Sequence, residues 1–192
     1  MSLPTPLYII TPPVAEAKEI FTALDLLTRT VPVSVVRLCL APGFGPHLVS
    51  DLREIVQNRD VALLIEDDIE YAARSGADGV HLTNHLNVRY ARERLGKDAS
   101  IGAYCYASRH AAMEAGEQEA DYVAFGPGRA PEVAELTAWW SELSTLPVVI
   151  EGATDEVSAR RVMEAGADFL AFPLEGADPA SFAWLVNRPL GI

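Results

Sequence analysis

Eight short runs rich in apolar and β-branched residues alternate with helical stretches along this chain, and no other feature constrains its fold as tightly. The runs are Leu7 to Ile10, Val33 to Leu40, Val61 to Ile65, Gly79 to Leu82, Ser100 to Tyr104, Tyr122 to Phe125, Pro147 to Ile150 and Phe169 to Phe172. Helical patterning fills the intervals near 14–29, 45–58, 68–75, 87–96, 108–117, 132–144, 155–165 and 178–187. Strands that are apolar on both faces, each followed by a helix, belong to a parallel sheet covered by helices. Eight such units in series argue for closure of that sheet on itself.

An internal repeat points the same way. The segment Ser75 to Leu82 (SGADGVHL) is echoed by Glu119 to Phe125 (EADYVAF) and by Ala165 to Phe172 (AGADFLAF). The copies recur about every 45 residues, close to the span of two strand–helix units. In two copies Gly76 and Gly166 suit the left-handed position that ends a helix, and the Ala–Asp pair then turns into a buried strand. An open doubly wound sheet would carry a Gly-rich loop after its first strand, where Thr11-Pro12-Pro13 stands instead. The expected fold is α/β, a single (βα)8 TIM barrel forming one domain over 1–192. Its loops must be short, because such barrels more often run to about 250 residues. Met1-Ser2-Leu3 is left out of the fold reading.

Composition narrows the function classes. Hydrophobic residues make up 49% and charged residues 22% of the 192, the ordinary globular range. A formal charge of −12 and a pI near 4.7 argue against nucleic acid and anionic membranes as partners, since both bind through clustered Lys and Arg. No apolar run approaches the length of a membrane span and no basic segment precedes an apolar stretch, so a cytoplasmic location is expected. Cys39 and Cys105 lie in strand-like segments without Cys or His at metal spacing, and read as reduced packing residues. A homo-oligomer is left open.

Reactive groups in barrel enzymes stand at the C-terminal ends of strands. Arg37 is the only charge between Val31 and Ala41, and alternation puts it on one face with Val35 and Cys39, toward the lumen. It reads either as a functional cation or as half of a structural ion pair. Glu66-Asp67-Asp68 follows the third strand; clustered carboxylates there suit a hard cation such as Mg²⁺, with Asp68 assigned to capping the next helix. His81 ends the fourth strand, as a base or as a hydrogen-bonded packing residue. Tyr104 and Tyr106 share a face at the end of the fifth, either to stack on a flat heterocycle or to fill the barrel. Gly126 after the sixth would admit a ligand close to the backbone, and Arg129 would pair with a phosphate, although Gly-Pro-Gly is also an ordinary turn. Gly152 after the seventh suits a phosphate, while Glu151 beside it would repel one.

On these segments the chain resembles the thiamine-phosphate synthase family, which includes the TenI-type thiazole tautomerases. The likeness is carried by Leu7 to Thr11 (LYIIT), Ile65-Glu66-Asp67, Gly76 to Leu82 (GADGVHL), Ala120 to Pro127 (ADYVAFGP) and Ala165 to Asp168 (AGAD). The resemblance implies a (βα)8 fold. It also implies Mg²⁺-dependent chemistry in which pyrophosphate leaves an aminopyrimidine and a thiazole phosphate captures the methylene cation. It assigns the metal to Asp67. The family's strand-two Gln aligns with Arg37, its Asn–Asp pair with Glu66-Asp67, and its second metal-binding Asp with Leu86. A Ser and a His of the family align with Tyr104 and Tyr106, and the Gly-Gly of strand seven with Glu151-Gly152.

The chain is thus expected to be a divergent thiamine-phosphate synthase-like protein binding a small phosphorylated heterocycle, with Mg²⁺ as the implied cofactor. Arg37, Glu66, Asp67 and His81 are the catalytic candidates, and Tyr104, Tyr106, Gly126, Arg129 and Gly152 the substrate-binding ones. Two alternatives stand beside it. One is a non-catalytic or regulatory binder that kept the barrel and lost the chemistry. The other is a different barrel reaction, which requires Arg37, Glu66, Asp67 and His81 to converge on one pocket.

Overall fold

The computed structural model describes residues 6–153, 155–182 and 184. Strands β1 (Leu7–Ile10), β2 (Val33–Leu38), β3 (Ala62–Glu66), β4 (Gly79–Leu82), β5 (Ser100–Tyr104), β6 (Tyr122–Phe125), β7 (Val148–Glu151) and β8 (Phe169–Pro173) pair in chain order. All neighbours are parallel, and β8 returns to β1, so the barrel is closed as expected. Helices α1 (Phe21–Thr30), α2 (Leu48–Val56), α3 (Ile69–Ser75), α4 (Val88–Leu95), α5 (Arg109–Glu117), α6 (Ala130–Leu143) and α7 (Glu156–Glu164) follow the first seven strands.

Side-chain alternation splits the core in two. Leu7, Ile9, Val36, Leu38, Leu63, Ile65, Val80 and Ile101 join the cluster between barrel and helices. Residues of the opposite parity, Tyr8, Leu64, Tyr104, Tyr122, Ala124, Val149 and Ala171, form a second cluster in the lumen. Gly102 makes room within it, since a Cβ there would lie 1.9 Å from the Tyr122 ring.

The repeat has a physical reason. The backbone N–H and carboxylate of Asp78 both bond Leu63, to its carbonyl at 2.9 Å and from its N–H at 2.7 Å. Asp121 does the same with Ile101 (2.8 and 2.7 Å) and Asp168 with Val148 (3.0 and 2.8 Å). Each aspartate therefore staples the N-terminal end of an even strand to the odd strand before it. That is why the motif recurs every second strand–helix unit. Gly76 (φ 78°) and Gly166 (φ 102°) sit in the left-handed region ahead of two of these aspartates, as expected.

The boundaries shift in three places. β2 stops at Leu38, and beyond it Leu40 makes only an isolated bridge to Val14. The first helical stretch consequently opens with that bridge and a 3₁₀ turn at Ala17–Glu19, and α1 starts only at Phe21. The eighth helical segment is a 3₁₀ turn at Pro179–Phe182, with the rest of that expectation, at 183 and 185–187, outside the described residues. Asp68 caps α3 as expected, accepting from the Tyr71 N–H at 2.7 Å. Among the described residues, no helix is long and apolar enough to cross a membrane.

Candidate functional site

Four strands send polar side chains into the C-terminal head of the lumen. Arg37 enters from β2 with only 10% of its side chain exposed, so its charge requires partners. It has two: Nε lies 3.1 Å from Glu66 Oε2 and Nη1 donates to Glu151 Oε1 at 2.8 Å. Cys39 adds a weak contact, with Sγ donating to Glu66 Oε2 at 3.2 Å. Arg37 is therefore a bridge between the ends of β3 and β7, and two carboxylates share one guanidinium.

Beneath this triad runs a chain of neutral groups. Nδ1 of His81 on β4 lies 2.9 Å from the Tyr122 hydroxyl, which lies 3.0 Å from the Tyr8 hydroxyl. The other ring nitrogen, Nε2, is 3.8 Å from Glu151 Oε1. Complete burial, reinforced by the Arg37 charge, pulls the His81 pKa well below its usual value, so the imidazole is uncharged at neutral pH. Burial raises the Tyr8 and Tyr122 pKa values, so both keep their protons. Burial also raises the Glu151 carboxyl above its ordinary 4.5, with Arg37 opposing and Glu66 assisting. Cys39 is pushed up to about 12 by burial and by Glu66, which makes it an inert thiol.

Of the residues singled out in the sequence, Arg37, Glu66 and His81 converge here. Asp67 does not join them. Its backbone is left-handed (φ 56°), and its carboxylate turns to the β4 loop, accepting from Thr83 N at 2.8 Å and Thr83 Oγ1 at 2.5 Å. Tyr104 and Tyr106 differ in burial although their rings touch. Tyr104 is buried in the lumen, its hydroxyl unpartnered and its pKa raised to about 12 by burial. Tyr106 lies past the strand in a left-handed turn, 57% exposed, its ring centroid 4.5 Å from that of Tyr104.

The glycines serve the backbone first. A Cβ on Gly126 would come within 2.1 Å of the Glu151 carbonyl oxygen, so this glycine lets β6 and β7 close up. Gly152 (φ 87°) packs against Pro127 in the same crossing. Arg129 precedes α6 with its side chain exposed to solvent and paired with Glu132, so it stands at the rim as an already neutralised cation.

Beside the triad, between the ends of β2 and β3, opens a cavity of about 680 Å³, a size that suits a small ligand. Its walls combine Leu40, Pro42 and Phe44 with Glu66, Asp67 and Asp68. Glu66 belongs to both cavity and triad and forms the wall between them.

A magnesium ion fits this donor set poorly. Both Asp67 oxygens are engaged by Thr83, and Glu66 is committed to Arg37. Among the described residues no three His, Cys, Asp or Glu side chains gather as a metal cage. Mg²⁺ usually takes only one or two protein carboxylates, with waters and substrate phosphates completing its shell, and the two carboxylates at the end of β3 already hold protein partners.

Sequence reasoning missed four participants. Thr83 gave no signal beyond its position two residues after His81. Tyr8 and Tyr122 have the lumen parity of their strands, which was the available clue. Glu151 was read as an obstacle to phosphate, whereas it is the second partner of Arg37.

Residues 7–173 match the family described as thiamine monophosphate synthase. A thiamine-phosphate synthase of Rhodospirillum centenum is 39% identical over 177 residues, covering 86% of each chain. One of Erythrobacter litoralis is 38% identical over 187 residues, covering 88% of this chain and 86% of the relative. Among solved structures, the thiamine phosphate pyrophosphorylase from Pyrococcus furiosus superposes with a TM-score of 0.74 at 24% identity, covering 97% of this chain and 98% of that one. At that identity the structural likeness speaks for the barrel alone.

Proposed function

The chain belongs to the thiamine monophosphate synthase family, and we propose from that premise that its barrel mouth joins an aminopyrimidine pyrophosphate to a thiazole phosphate. The methylene–oxygen bond of the pyrimidine breaks, pyrophosphate leaves with the electron pair, and the thiazole nitrogen bonds to the methylene carbon to give thiamine phosphate. The observation that carries this reading is the convergence of Arg37, Glu66 and His81 at the C-terminal head of the lumen in a chain of that family.

In this reading Tyr104 and Tyr106 hold the flat rings, and the Gly126 and Gly152 backbone lies beside the phosphate. Arg37 and Arg129 are the cations nearest the departing charge, each typically worth about 10²–10³ in rate where it meets a developing anion. Asp67 is the family's metal carboxylate, but its engagement by Thr83 leaves no step that we route through magnesium. Cys39 and Cys105 are free and buried, which accords with a reducing cytoplasm. The direct test is pyrimidine–thiazole coupling by the pure protein, with magnesium present and with it chelated. Thiamine phosphate formation is expected, and its absence at high enzyme concentration rejects the reaction.

A second reading is favoured by one observation: Arg37 is buried and tied to two carboxylates, so it is not free for a phosphate. A non-catalytic binder of a phosphorylated heterocycle would then show thermal stabilisation by thiazole phosphate or thiamine phosphate without turnover. No shift in melting temperature at saturating ligand rejects it.

A further inference from the structure

We propose that this barrel does not recognise a phosphate on the thiazole partner, and that it takes the unphosphorylated thiazole alcohol as readily as the thiazole phosphate. This specificity rests on the coupling reaction of the proposed function. With the alcohol the same bonds change: the methylene–oxygen bond breaks, pyrophosphate leaves with the electron pair, and the ring nitrogen bonds to the methylene carbon. The product is then thiamine itself.

Barrels that hold a phosphate often do so with the loops after strands seven and eight and a helix N-terminus beside them. There the backbone N–H groups and the helix dipole meet the anion. In this chain the helix after β7 is closed by its own side chain. Asp155 accepts from the N–H groups of Val157 and Ser158 at 3.0 and 2.9 Å, and from the Ser158 hydroxyl at 2.5 Å. An incoming phosphate would compete for those same donors. The Ser158 bond also lowers the Asp155 pKa, so the cap is negatively charged at neutral pH.

Space is the independent observation. Between the ends of β6 and β7 and the start of α7 lies a cavity of only about 20 Å³, lined by Gly128, Val133, Glu151, Gly152, Ala153 and Ser158. That is room for about one water, whereas a phosphate carries four oxygens. Glu151 is the one charged side chain in this lining among the described residues, and it is an acid. Cations are scarce around it. From Ala130 to Asn187 the sequence holds two basic residues, Arg160 and Arg161. Arg160 pairs with Glu156 at 2.6 Å, and Arg161 lies about 9 Å along the helix axis from Asp155. Arg129, on the β6 side, is exposed and does not line the cavity.

The test couples the aminopyrimidine pyrophosphate with each acceptor on the pure protein, and titrates each acceptor alone by calorimetry. A single charge-assisted hydrogen bond to the phosphate would favour the phosphorylated acceptor about tenfold or more. In wild type that preference should stay below about tenfold, in kcat/KM and in Kd. Asp155→Asn keeps the cap and removes its charge, and Asp155→Gly frees the N–H groups of Val157 and Ser158. Each should shift the ratio toward the phosphate severalfold. A wild-type preference of tenfold or more in either measurement, binding of neither acceptor, or an unmoved ratio in the folded variants overturns the proposal. Should Asp155→Gly fail to fold, Asp155→Asn carries the comparison. Coupling with a strong phosphate preference would sink this specificity and leave the reaction standing. Equal binding of the two acceptors without coupling would do the reverse.

Discussion

Three acidic residues at each end of the barrel invite comparison, because the two sets are used in opposite ways. At the N-terminal end Asp78, Asp121 and Asp168 each accept the backbone N–H of the neighbouring strand, at 2.7, 2.7 and 2.8 Å. At the C-terminal end Glu66 and Glu151 meet across the lumen on Arg37, and Asp67 grips Thr83. A main-chain partner is available wherever the fold repeats, so the lower acids repeat with it. A side-chain partner has to be matched individually, so the upper set occurs once. Barrels divide their labour in this way, with the lower face serving stability and the upper face chemistry.

The comparison breaks most visibly at Arg37. Replacing it with Met removes the one cation and leaves Glu66 and Glu151 facing each other in a largely buried lumen. Stripping one partner from a buried pair costs about 3–5 kcal/mol, and urea unfolding of Arg37→Met should fall in the lower part of that range because Glu66 keeps some contact with solvent. The deficit should shrink in acid, as Glu151, whose carboxyl is raised by burial, protonates. A loss of only a few tenths of a kcal/mol would mean that the triad is an ordinary surface ion pair.

At the lower end the expected effect is smaller and of a different kind. Asp168→Ala removes a charge-assisted bond to the Val148 N–H, worth about 1.5–3 kcal/mol. Coupling activity and ligand affinity of the variant should be unchanged once the fold is intact. If Asp168→Ala instead altered affinity as much as a substitution at the upper end does, the division between the two ends would fail.

The same contrast explains what the sequence could reveal. Alternating apolar runs specify strand parity, so the barrel, its eight strands and the lumen position of Arg37 were legible. The repeated Ala–Asp pair was legible too, because a main-chain partner recurs wherever the fold does. The triad was not. Glu66 and Glu151 lie four strands apart in the sequence, and only closure of the barrel brings them to one guanidinium. Asp67 stands apart from the triad for a local reason: its left-handed backbone turns the carboxylate toward Thr83. Tyr106 is more exposed than Tyr104 because β5 ends at Tyr104 and the chain turns.

A pH titration sharpens the comparison further. The Glu151 carboxyl is raised above its ordinary 4.5 in the folded protein, chiefly by burial. The folded state therefore holds this proton to a higher pH than the unfolded chain does. Stability from this group is fully present below 4.5 and lost as pH rises through the folded value. Asp155, the exposed cap of α7, has the opposite sign: its hydrogen bond with Ser158 lowers its pKa, so its contribution is present above 3.8 and lost in acid. Glu151→Gln should flatten the decline of stability on the alkaline side of 4.5 while leaving the acid limb in place. A stability profile identical to wild type above 4.5 would remove Glu151 from the buried set.

The smallest effect separates two tyrosines of one lumen. The Tyr122 hydroxyl lies between Tyr8 at 3.0 Å and His81 at 2.9 Å, so Tyr122→Phe breaks a satisfied chain and should cost about 1–2 kcal/mol. The Tyr104 hydroxyl is buried with no hydrogen-bond partner among the described residues, and removing it spares the folded protein a desolvated group. Tyr104→Phe should leave stability unchanged or raise it by up to about 1 kcal/mol. In the proposed reaction, where Tyr104 helps hold a flat ring, the same substitution should weaken thiamine phosphate binding severalfold. Higher stability together with weaker binding is the pattern expected of a group kept for a ligand. A Tyr104→Phe variant that lost stability while binding as wild type does would show the hydroxyl to be part of the packing instead.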